Sequence, residues 1–153
     1  MNRLHPRIRA VWSGQATVTA AVLALGAFLL SRFVVDLPGW VAPAVFVVAL
    51  AVGVGLAAAR YRVWRYEIRD DALYLERGVF TRVRTVVPFV RIQHVDSSRS
   101  PIQRLVGLAS TVVYTAGSRG ADVTVPGLTP GEADDLRERL KRLAIRAEGD
   151  DAV

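Results

Sequence analysis

The most constraining feature of this sequence is a pair of long apolar blocks that lie close together before Arg60. The first block covers residues 14–35 and the second covers residues 40–59. Each has close to the roughly 20 apolar residues that a helix needs to cross a hydrocarbon core of about 30 Å. The connector, residues 36–39, is too short for anything except a tight turn. The sequence therefore predicts a transmembrane helical hairpin over residues 14–59, which accounts for most of the high hydrophobic content of 52%.

Arginines flank this hairpin on the side where both chain ends lie. Two spans joined by a short turn place both termini on one side of a membrane, and an excess of basic residues marks the cytoplasmic side. The sequence therefore predicts a two-span protein of the cell (inner or plasma) membrane, with a cytoplasmic N-terminal segment, residues 1–13, and a cytoplasmic C-terminal portion. The membrane-flanking basic residues are Arg3, Arg7, Arg9, Arg60, Arg62 and Arg65.

Two details inside the apolar blocks leave alternatives open. Arg32, near the outer end of the first block, can snorkel to the headgroups or pair with Asp36, and a role inside the membrane is the other reading. Small residues at Ala49, Gly53 and Ala57 have the spacing that lets helices approach closely, either within the hairpin or between copies.

A cleaved signal peptide is rejected as an interpretation of the first block, because a signal core has only about 7–15 apolar residues and a second span follows at once.

From Tyr61 onward, apolar and polar residues alternate, as in half-buried strands. In the segment VWRYEIRD, for example, Trp64, Tyr66 and Ile68 fall on one face and the charged residues fall on the other. Similar segments separated by turn residues give about six short strands, which is typical of an antiparallel sandwich or barrel. The sequence therefore predicts a soluble β-domain over residues 60–148, followed by a short tail, residues 149–153.

A capping box marks the start of a helix near the end of this domain. Thr129 and Glu132 have the spacing at which each side chain accepts a hydrogen bond from the other residue's backbone, and Pro130 suits the first helical position. Apolar residues then recur at three- and four-residue spacing on a charged surface, so we expect one amphipathic helix that closes the sandwich. The apolar positions are Ala133, Leu136, Leu140, Leu143 and Ala147.

One part of the strand region concentrates polar side chains and raises the question of catalysis. His94 and Asp96 are two residues apart and share a strand face, and Ser97, Ser98 or Ser100 could supply a nucleophile. No nucleophile-elbow pattern accompanies them. The chain has no cysteine and two histidines, which argues against a thiolate or zinc site. The sequence therefore predicts a protein that is not an enzyme, with no catalytic residue, metal site or cofactor.

The same polar residues are better explained as a corner of the sandwich. Arg91 and Gln93 are expected on one strand face, and Ile92 and His94 on the other. In this interpretation Arg91, Gln93 and Arg104 hydrogen-bond to the backbone where the chain turns.

The turn itself has recognisable signals. Asp96, Ser97 and Ser98 are expected to cap it, and Pro101 is expected to start a short helical segment. Gly107 then lets the chain reverse into the next strand.

These residues and the order of the elements resemble a known family. The chain is similar to YdbS-like membrane proteins that carry a bacterial pleckstrin-homology-like (PH-like) domain, and the resemblance covers nearly all of it. It implies an α+β fold, in which the two-helix hairpin precedes an antiparallel PH-like sandwich or barrel of about seven strands capped by the C-terminal helix. The matching motif residues are Pro88, Arg91, Ile92, Gln93, Val95, Pro101, Arg104, Gly107 and Leu108, with the TAG strand end and Leu4-His5-Pro6.

The resemblance also bears on function. Members of this family tend to occur beside a larger protein with repeated domains of the same kind, and the resemblance therefore implies a hetero-complex. We therefore predict a membrane-anchored interaction module that assembles with itself, as a homo-oligomer, or with a larger PH-like membrane protein. Exposed strand edges and the sandwich end opposite the helix are the expected contact surfaces.

An alternative function is a reader of anionic lipid headgroups at the inner leaflet, through basic loops. Nucleic acid is not expected as a partner despite the net charge of +6, because no recognition motif is present and much of the charge flanks the membrane spans. Membrane lipids and PH-like proteins are thus the predicted partners. The candidate lipid or partner contacts are Arg82, Arg84, Arg91, Arg99 and Arg119.

Overall fold

The structure, a computed structural model, describes residues 2–117 and 122–150. The chain divides into two compact units. One unit is Arg9–Arg62, and the other combines the N-terminal residues through Ile8 with the chain from Val63 onward. The predicted hairpin is therefore one unit, and the predicted β-domain forms most of the other.

The first unit consists of two helices joined by a short turn. Helix α1 spans Ile8–Phe33 and helix α2 spans Val41–Val63. Both are long and apolar enough to cross a membrane, and only 6% of the most apolar window of each is buried. Most of their apolar side chains are thus not buried within the described chain, as in helices that span a bilayer and unlike the core helix of a soluble domain. Arg32 lies in the last turn of α1.

Small residues allow close contact between the two helices. A Cβ atom added at Gly53 of α2 would lie 2.6 Å from the Cβ atom of Ala16 in α1, which is too close for two carbons. Within the described residues, no atom lies within 4 Å of a Cβ added at Gly55. Of the two uses predicted for the small-residue spacing, the structure shows packing within the hairpin, at Gly53.

Aromatic side chains also join the two helices near their charged ends. The guanidinium carbon of Arg60 lies 4.4 Å from the ring centre of Trp12, and that of Arg9 lies 5.1 Å from the ring centre of Tyr61. Both distances are within cation–π range. Two of the membrane-flanking arginines therefore have aromatic partners in addition to the topological role predicted for them.

The second unit is a sandwich of two antiparallel sheets. The first sheet has the order β1-β2-β3-β4 and the second has the order β5-β6-β7. The C-terminal helix α4 spans Pro130–Asp150, and a short helix α3 spans Pro101–Leu105. This architecture confirms the predicted fold class. The strands are β1 (Asn2–Arg3), β2 (Arg65–Ile68), β3 (Ala72–Arg77), β4 (Val83–Pro88), β5 (Ile92–Ser98), β6 (Ala109–Thr115) and β7 (Val123–Leu128).

The core forms where the apolar faces of the strands and of α4 meet. In β2, Trp64 beside the strand and Tyr66 within it are buried, as the alternation predicts. Along α4, Ala133, Leu136 and Leu140 are buried, whereas the last two positions of the predicted stripe are only half buried. The residues buried between the sheets include Leu73, Leu75, Val87, Phe89, Leu108, Val113, Val125 and Leu128.

The predicted capping box opens α4. The backbone N–H of Thr129 donates to Glu132 Oε2 at 2.8 Å, and the backbone N–H of Glu132 donates to Thr129 Oγ1 at 3.3 Å. Two of the backbone donors at the start of the helix are therefore satisfied, and the helix begins where the sequence predicts.

The seventh strand comes from the other side of the hairpin. Six strands were predicted after the apolar blocks, and these are β2 to β7. The remaining strand, β1, precedes α1 and pairs with β2 through the registers Asn2↔Tyr66 and Arg3↔Arg65. The membrane hairpin is thus inserted between the first and second strands of the sandwich.

Buried contacts hold this N-terminal segment in place. Leu4 and Ile8 are 2% and 1% exposed, and the backbone N–H of His5 donates to the carbonyl of Gly127 at 2.7 Å. Gly127 has φ +65°, and a Cβ there would lie 2.9 Å from the Cβ of Ile8. Only glycine suits this position, because the backbone is left-handed and the N-terminal segment packs directly against it.

Burial raises the pKa of the Tyr66 phenol above its ordinary value of 10.0. A hydrogen bond with the Asn2 side chain opposes this rise, and the negative charge of Glu132 adds to it. The phenol is therefore protonated at neutral pH, at the place where β1, β2 and the start of α4 come together.

Strand directions give the sandwich two distinct ends. We call the exit end the one at which the chain leaves after Ile8 and returns at Val63. From this end, β2 runs toward the opposite end and the antiparallel strand β3 runs back. The turn between β3 and β4, residues 78–82, therefore lies at the exit end. The segment 99–108 lies there too, since β7 ends at Leu128, opposite Ala109, next to the hydrogen bond of His5.

The opposite end of the sandwich is called the far end. It holds the turn between β2 and β3, residues 69–71, and the 3-10 turn Phe89–Arg91. The two are joined by a hydrogen bond from the backbone N–H of Phe89 to the carbonyl of Asp71.

The close approach at Gly53 predicts a difference between two glycines of α2. Gly53→Leu should weaken the helix pair by about 1–3 kcal/mol, because the new side chain overlaps α1. The side chain added by Gly55→Leu points into open space. This substitution should therefore leave the thermal unfolding midpoint of the purified protein in detergent nearly unchanged. Equal effects of the two substitutions would contradict the packing described here.

Burial of the N-terminal segment predicts that it stabilises the β-domain. In a soluble version with residues 9–62 replaced by a flexible linker, Leu4→Ala should lower the free energy of unfolding by about 2–4 kcal/mol. Leu105→Ala is the matched control, and its effect should stay within about 0.5 kcal/mol because Leu105 is exposed. Urea titration measures both, and a loss at Leu4 no larger than at Leu105 would show that the segment is not part of the domain.

Candidate functional site

The histidine and aspartate of β5 lie within hydrogen-bond distance of each other on the surface. His94 Nε2 lies 2.8 Å from Asp96 Oδ1, so the two residues share a strand face as predicted. The His94 ring also lies against that of Tyr114, with centres 5.8 Å apart. Both members of the pair have more than half of their side-chain surface exposed. The pair thus sits on an open strand surface, without the enclosure that strengthens catalytic electrostatics.

The nearby serines are engaged elsewhere. Ser97 Oγ donates to Asp134 Oδ1 of α4 at 3.0 Å, and Ser100 Oγ accepts from the backbone N–H of Gln103 at 3.2 Å. In the described part of the chain, His94 makes no hydrogen bond to a serine hydroxyl, and no three His, Cys, Asp or Glu side chains gather to hold a metal ion. This geometry supplies no nucleophile–base pair.

The face predicted for His94 is wrong. A register shift lies between Ile92 and His94, so these residues pair with Thr115 and Tyr114, which are neighbours on opposite faces of β6. Ile92 is half buried and His94 is exposed. A bulge of this kind inserts one extra residue, here Gln93, and inverts the alternation beyond it.

The corner between β5 and β6 is built by residues other than those expected. Ser100 is the N-cap of α3, and with Gln103 it forms a second capping box in which Gln103 Oε1 accepts from the backbone N–H of Ser100 at 2.9 Å. Gln103 Nε2 also donates to the buried Ser110 Oγ at 2.7 Å. Pro101 begins α3 as predicted, and Gly107 has φ +69°, the left-handed conformation that lets the chain turn.

Two details of the corner prediction are therefore corrected. The capping role expected of Asp96, Ser97 and Ser98 belongs to Ser100. Three side chains expected to hydrogen-bond to the backbone at this corner make no such bond among the described residues. The side chain of Gln103 makes one instead, to the backbone N–H of Ser100. The three side chains are those of Arg91, Gln93 and Arg104.

The candidate arginines do not form one cluster. Arg82 and Arg99 are exposed at the exit end, in the β3–β4 turn and just before α3. Arg84 lies in β4, where its Nε is 2.8 Å from Glu76 Oε1 of β3. Arg91 closes the 3-10 turn at the far end. Arg119 lies outside the described residues.

The exit end also carries a residue that the sequence prediction missed. Arg104, predicted to bond to the backbone, is exposed on α3 near Arg99 in sequence. Exposed arginines from two separate segments therefore give this end a basic surface.

Strand β4 forms an exposed edge. In the described part of the chain it pairs with β3 alone, so its outer backbone groups are open to another strand. Val86 of β4 is 49% exposed, and Val83 and Val90 nearby are exposed as well. A groove of about 300 Å³ runs beside β4, lined in part by Val86, Arg91 and Thr115. This edge combines free hydrogen-bonding groups with apolar side chains.

Comparison with known proteins gives one family match and two similar proteins. The family model described as "Bacterial PH domain" matches residues 16–144. The chain is 33% identical over 149 residues to UPF0699 transmembrane protein YdbS of Bacillus subtilis (strain 168), covering 94% of this chain and 92% of that protein. No solved structure gives a significant match.

A second relative from the same organism is longer. The chain is 30% identical over 110 residues to UPF0699 transmembrane protein YdbT of Bacillus subtilis (strain 168). This match covers 67% of the chain but only 22% of YdbT, so the chain spans about a fifth of that protein.

The corner geometry predicts unequal roles for two glutamines. Gln103→Ala should lower the free energy of unfolding by about 1–3 kcal/mol, because it leaves the buried Ser110 hydroxyl and the N-cap amide without their partner. Gln93→Ala, at the exposed bulge, should change it by less than about 0.5 kcal/mol. Urea titration of the two variants distinguishes them, and the reverse order would restore the corner role first expected of Gln93.

Proposed function

This chain belongs to the bacterial PH domain family, and on that basis we propose that it is a non-enzymatic, membrane-anchored interaction module. It assembles with a second copy of itself or with a larger PH-like membrane protein. In this proposal both termini lie in the cytoplasm and the hairpin crosses the cell membrane, which the arginines at the ends of α1 and α2 support. The transmembrane relatives and the two long apolar helices support the membrane anchor.

The observation that carries this proposal is the open edge of β4. Edge strands of soluble proteins are usually protected by charges, prolines or bulges. The single charge within β4, Arg84, is held against Glu76, and Pro88 stands only at the strand's last position. Val86 is left exposed between them. An added strand would complete the backbone hydrogen bonds and cover this side chain, as in recognition by β-strand addition.

The comparisons support the kind of partner that we propose. YdbT matches this chain over a segment that is only 22% of its length, so it combines a similar segment with much additional chain. Both relatives are UPF0699 transmembrane proteins of Bacillus subtilis, so a short and a long relative of this chain occur in one organism. Two sheets of the same kind can join edge to edge, with either a second copy or the longer protein as partner.

The site geometry supports the absence of enzymatic activity in this proposal. The His94–Asp96 pair lies open to solvent, and the two nearby serines Ser97 and Ser100 bond to Asp134 and Gln103. A catalytic group needs a substrate-sized, water-excluding pocket around it. The residues around His94 form a strand surface instead.

The edge contact predicts that Val86→Lys weakens assembly. A lysine at this position places an unpaired charge in the contact, which should raise the dissociation constant of the complex at least about tenfold, or about 1.4 kcal/mol. Ile145→Lys on α4 is the matched control, because Ile145 is 61% exposed and α4 is not paired with β4. Its complexes should form as in the wild type.

Mass photometry of the purified protein in nanodiscs measures self-assembly, and co-purification with a co-expressed longer PH-like protein measures the hetero-complex. If Val86→Lys and Ile145→Lys leave both kinds of complex unchanged, β4 is not the contact edge.

A further inference from the structure

The two most exposed large apolar side chains of the described residues lie at the same end of the sandwich. Phe80 is 89% exposed and Leu105 is 88% exposed. Phe80 is in the β3–β4 turn and Leu105 is the last residue of α3, so both belong to the exit end. They come from different sheets and from connections far apart in sequence. Their occurrence at one end therefore calls for an explanation beyond a single exposed loop.

Local structure holds both side chains outward. Gly78 has φ +101°, and a Cβ there would overlap the carbonyl oxygen of Thr81, so the turn is tight and depends on glycine. The capping box of Ser100 and Gln103 fixes the start of α3. On that helix Ile102, which is also exposed, is three residues before Leu105 and shares its face. These apolar side chains are presented by defined backbone and not by frayed segments.

Basic residues accompany the apolar ones. Arg82 follows Phe80 in the turn, and Arg99 and Arg104 flank the start and end of α3. All three are exposed, and in the described part of the chain none of them has an acidic partner within salt-bridge distance.

Three acidic side chains of the sandwich are engaged by other residues. Glu76 is paired with Arg84, Glu132 caps α4, and Asp134 accepts a hydrogen bond from Ser97. The exit end therefore presents apolar groups together with positive charge that has no internal partner.

The exit end is also where the chain passes into its apolar helices. Helix α1 begins at Ile8, about six residues before the predicted span at Gly14, which corresponds to roughly 9 Å of helix. Helix α2 continues about four residues past Ala59 to Val63, or roughly 6 Å. The headgroup layer on each side of a hydrocarbon core is about 5–7 Å thick. Only these short stretches of chain separate the exit end from the two predicted spans.

We propose that the exit end is a second membrane-contact surface, at which Phe80 and Leu105 enter the headgroup region of an anionic bilayer and Arg82, Arg99 and Arg104 bind lipid phosphates. Aromatic and aliphatic side chains beside arginine are the combination that binds such an interface. The contact fixes the orientation of the sandwich on the membrane and leaves the β4 edge free to meet a partner. It concerns a different surface from the assembly edge and does not depend on it.

Spin labelling tests this surface in the full-length protein. The chain has no cysteine, so each single substitution gives one labelling site without further change. Phe80→Cys and Leu105→Cys are the test sites, and Ile145→Cys is the control. Each nitroxide-labelled protein is placed in nanodiscs of phosphatidylcholine containing phosphatidylglycerol, and collision with lipid-soluble oxygen is compared with collision with a water-soluble nickel chelate.

The expected result is preferential collision with oxygen at 80 and 105 and with the nickel chelate at 145. Labels at 80 and 105 that are as accessible to the chelate as the label at 145 would overturn the proposal. Labels at 80 and 105 that are shielded from both reagents would also overturn it, because they would indicate a protein contact. Repeating the measurement with Val86→Lys keeps the result independent of assembly through β4.

The charge component has its own test. In the Leu105→Cys protein, the combined substitutions Arg82→Gln, Arg99→Gln and Arg104→Gln should reduce immersion of the label in anionic nanodiscs. The matched control is a second triple variant that removes three positive charges from α4, and it should leave the immersion of the label unchanged. If the label is immersed equally with and without the exit-end arginines, the phosphate contacts are wrong. The control substitutions are Arg139→Gln, Arg142→Gln and Arg146→Gln.

Discussion

The pairing of the N-terminal segment with the sandwich is the contact on which the rest of this structure depends. Leu4 and Ile8 are almost fully buried, and His5 bonds to Gly127 at the end of β7. Because the next residues belong to α1, the domain holds the chain on both sides of the hairpin, at Ile8 and at Val63. The sandwich is therefore joined to the hairpin at two points of the chain.

We propose separate roles for two surfaces of the sandwich. The exit end carries Phe80, Leu105 and arginines without internal partners, which suits a membrane interface. The β4 edge carries Val86 and open backbone groups, which suits another strand. Membrane contact through the first surface and assembly through the second are separate proposals, because they involve different residues.

Much of the fold follows from repeated patterns in the sequence, and the exceptions have physical causes. The apolar blocks, the alternation around Trp64 and the capping box at Thr129 each involve many residues or a specific spacing, so they predict their elements. Strand β1 has two residues, too few to show a period. The bulge at Gln93 inverts the face predicted for His94. The capping box at Ser100 has a recognisable spacing, but the expected caps are Asp96, Ser97 and Ser98. The separation of the arginines depends on strand order, which periodicity does not reveal.

The most direct test of the account is amide hydrogen exchange of the full-length protein in nanodiscs. If the hairpin is inserted into the sandwich, the amide of His5 is protected as strongly as those of Tyr66 and Leu75 in the core strands, since all are released in one cooperative opening. Exchange at His5 as fast as in an unstructured terminus, with the core strands still protected, would contradict the account. The N-terminal segment would then not belong to the sandwich, and α2 alone would join the sandwich to the hairpin.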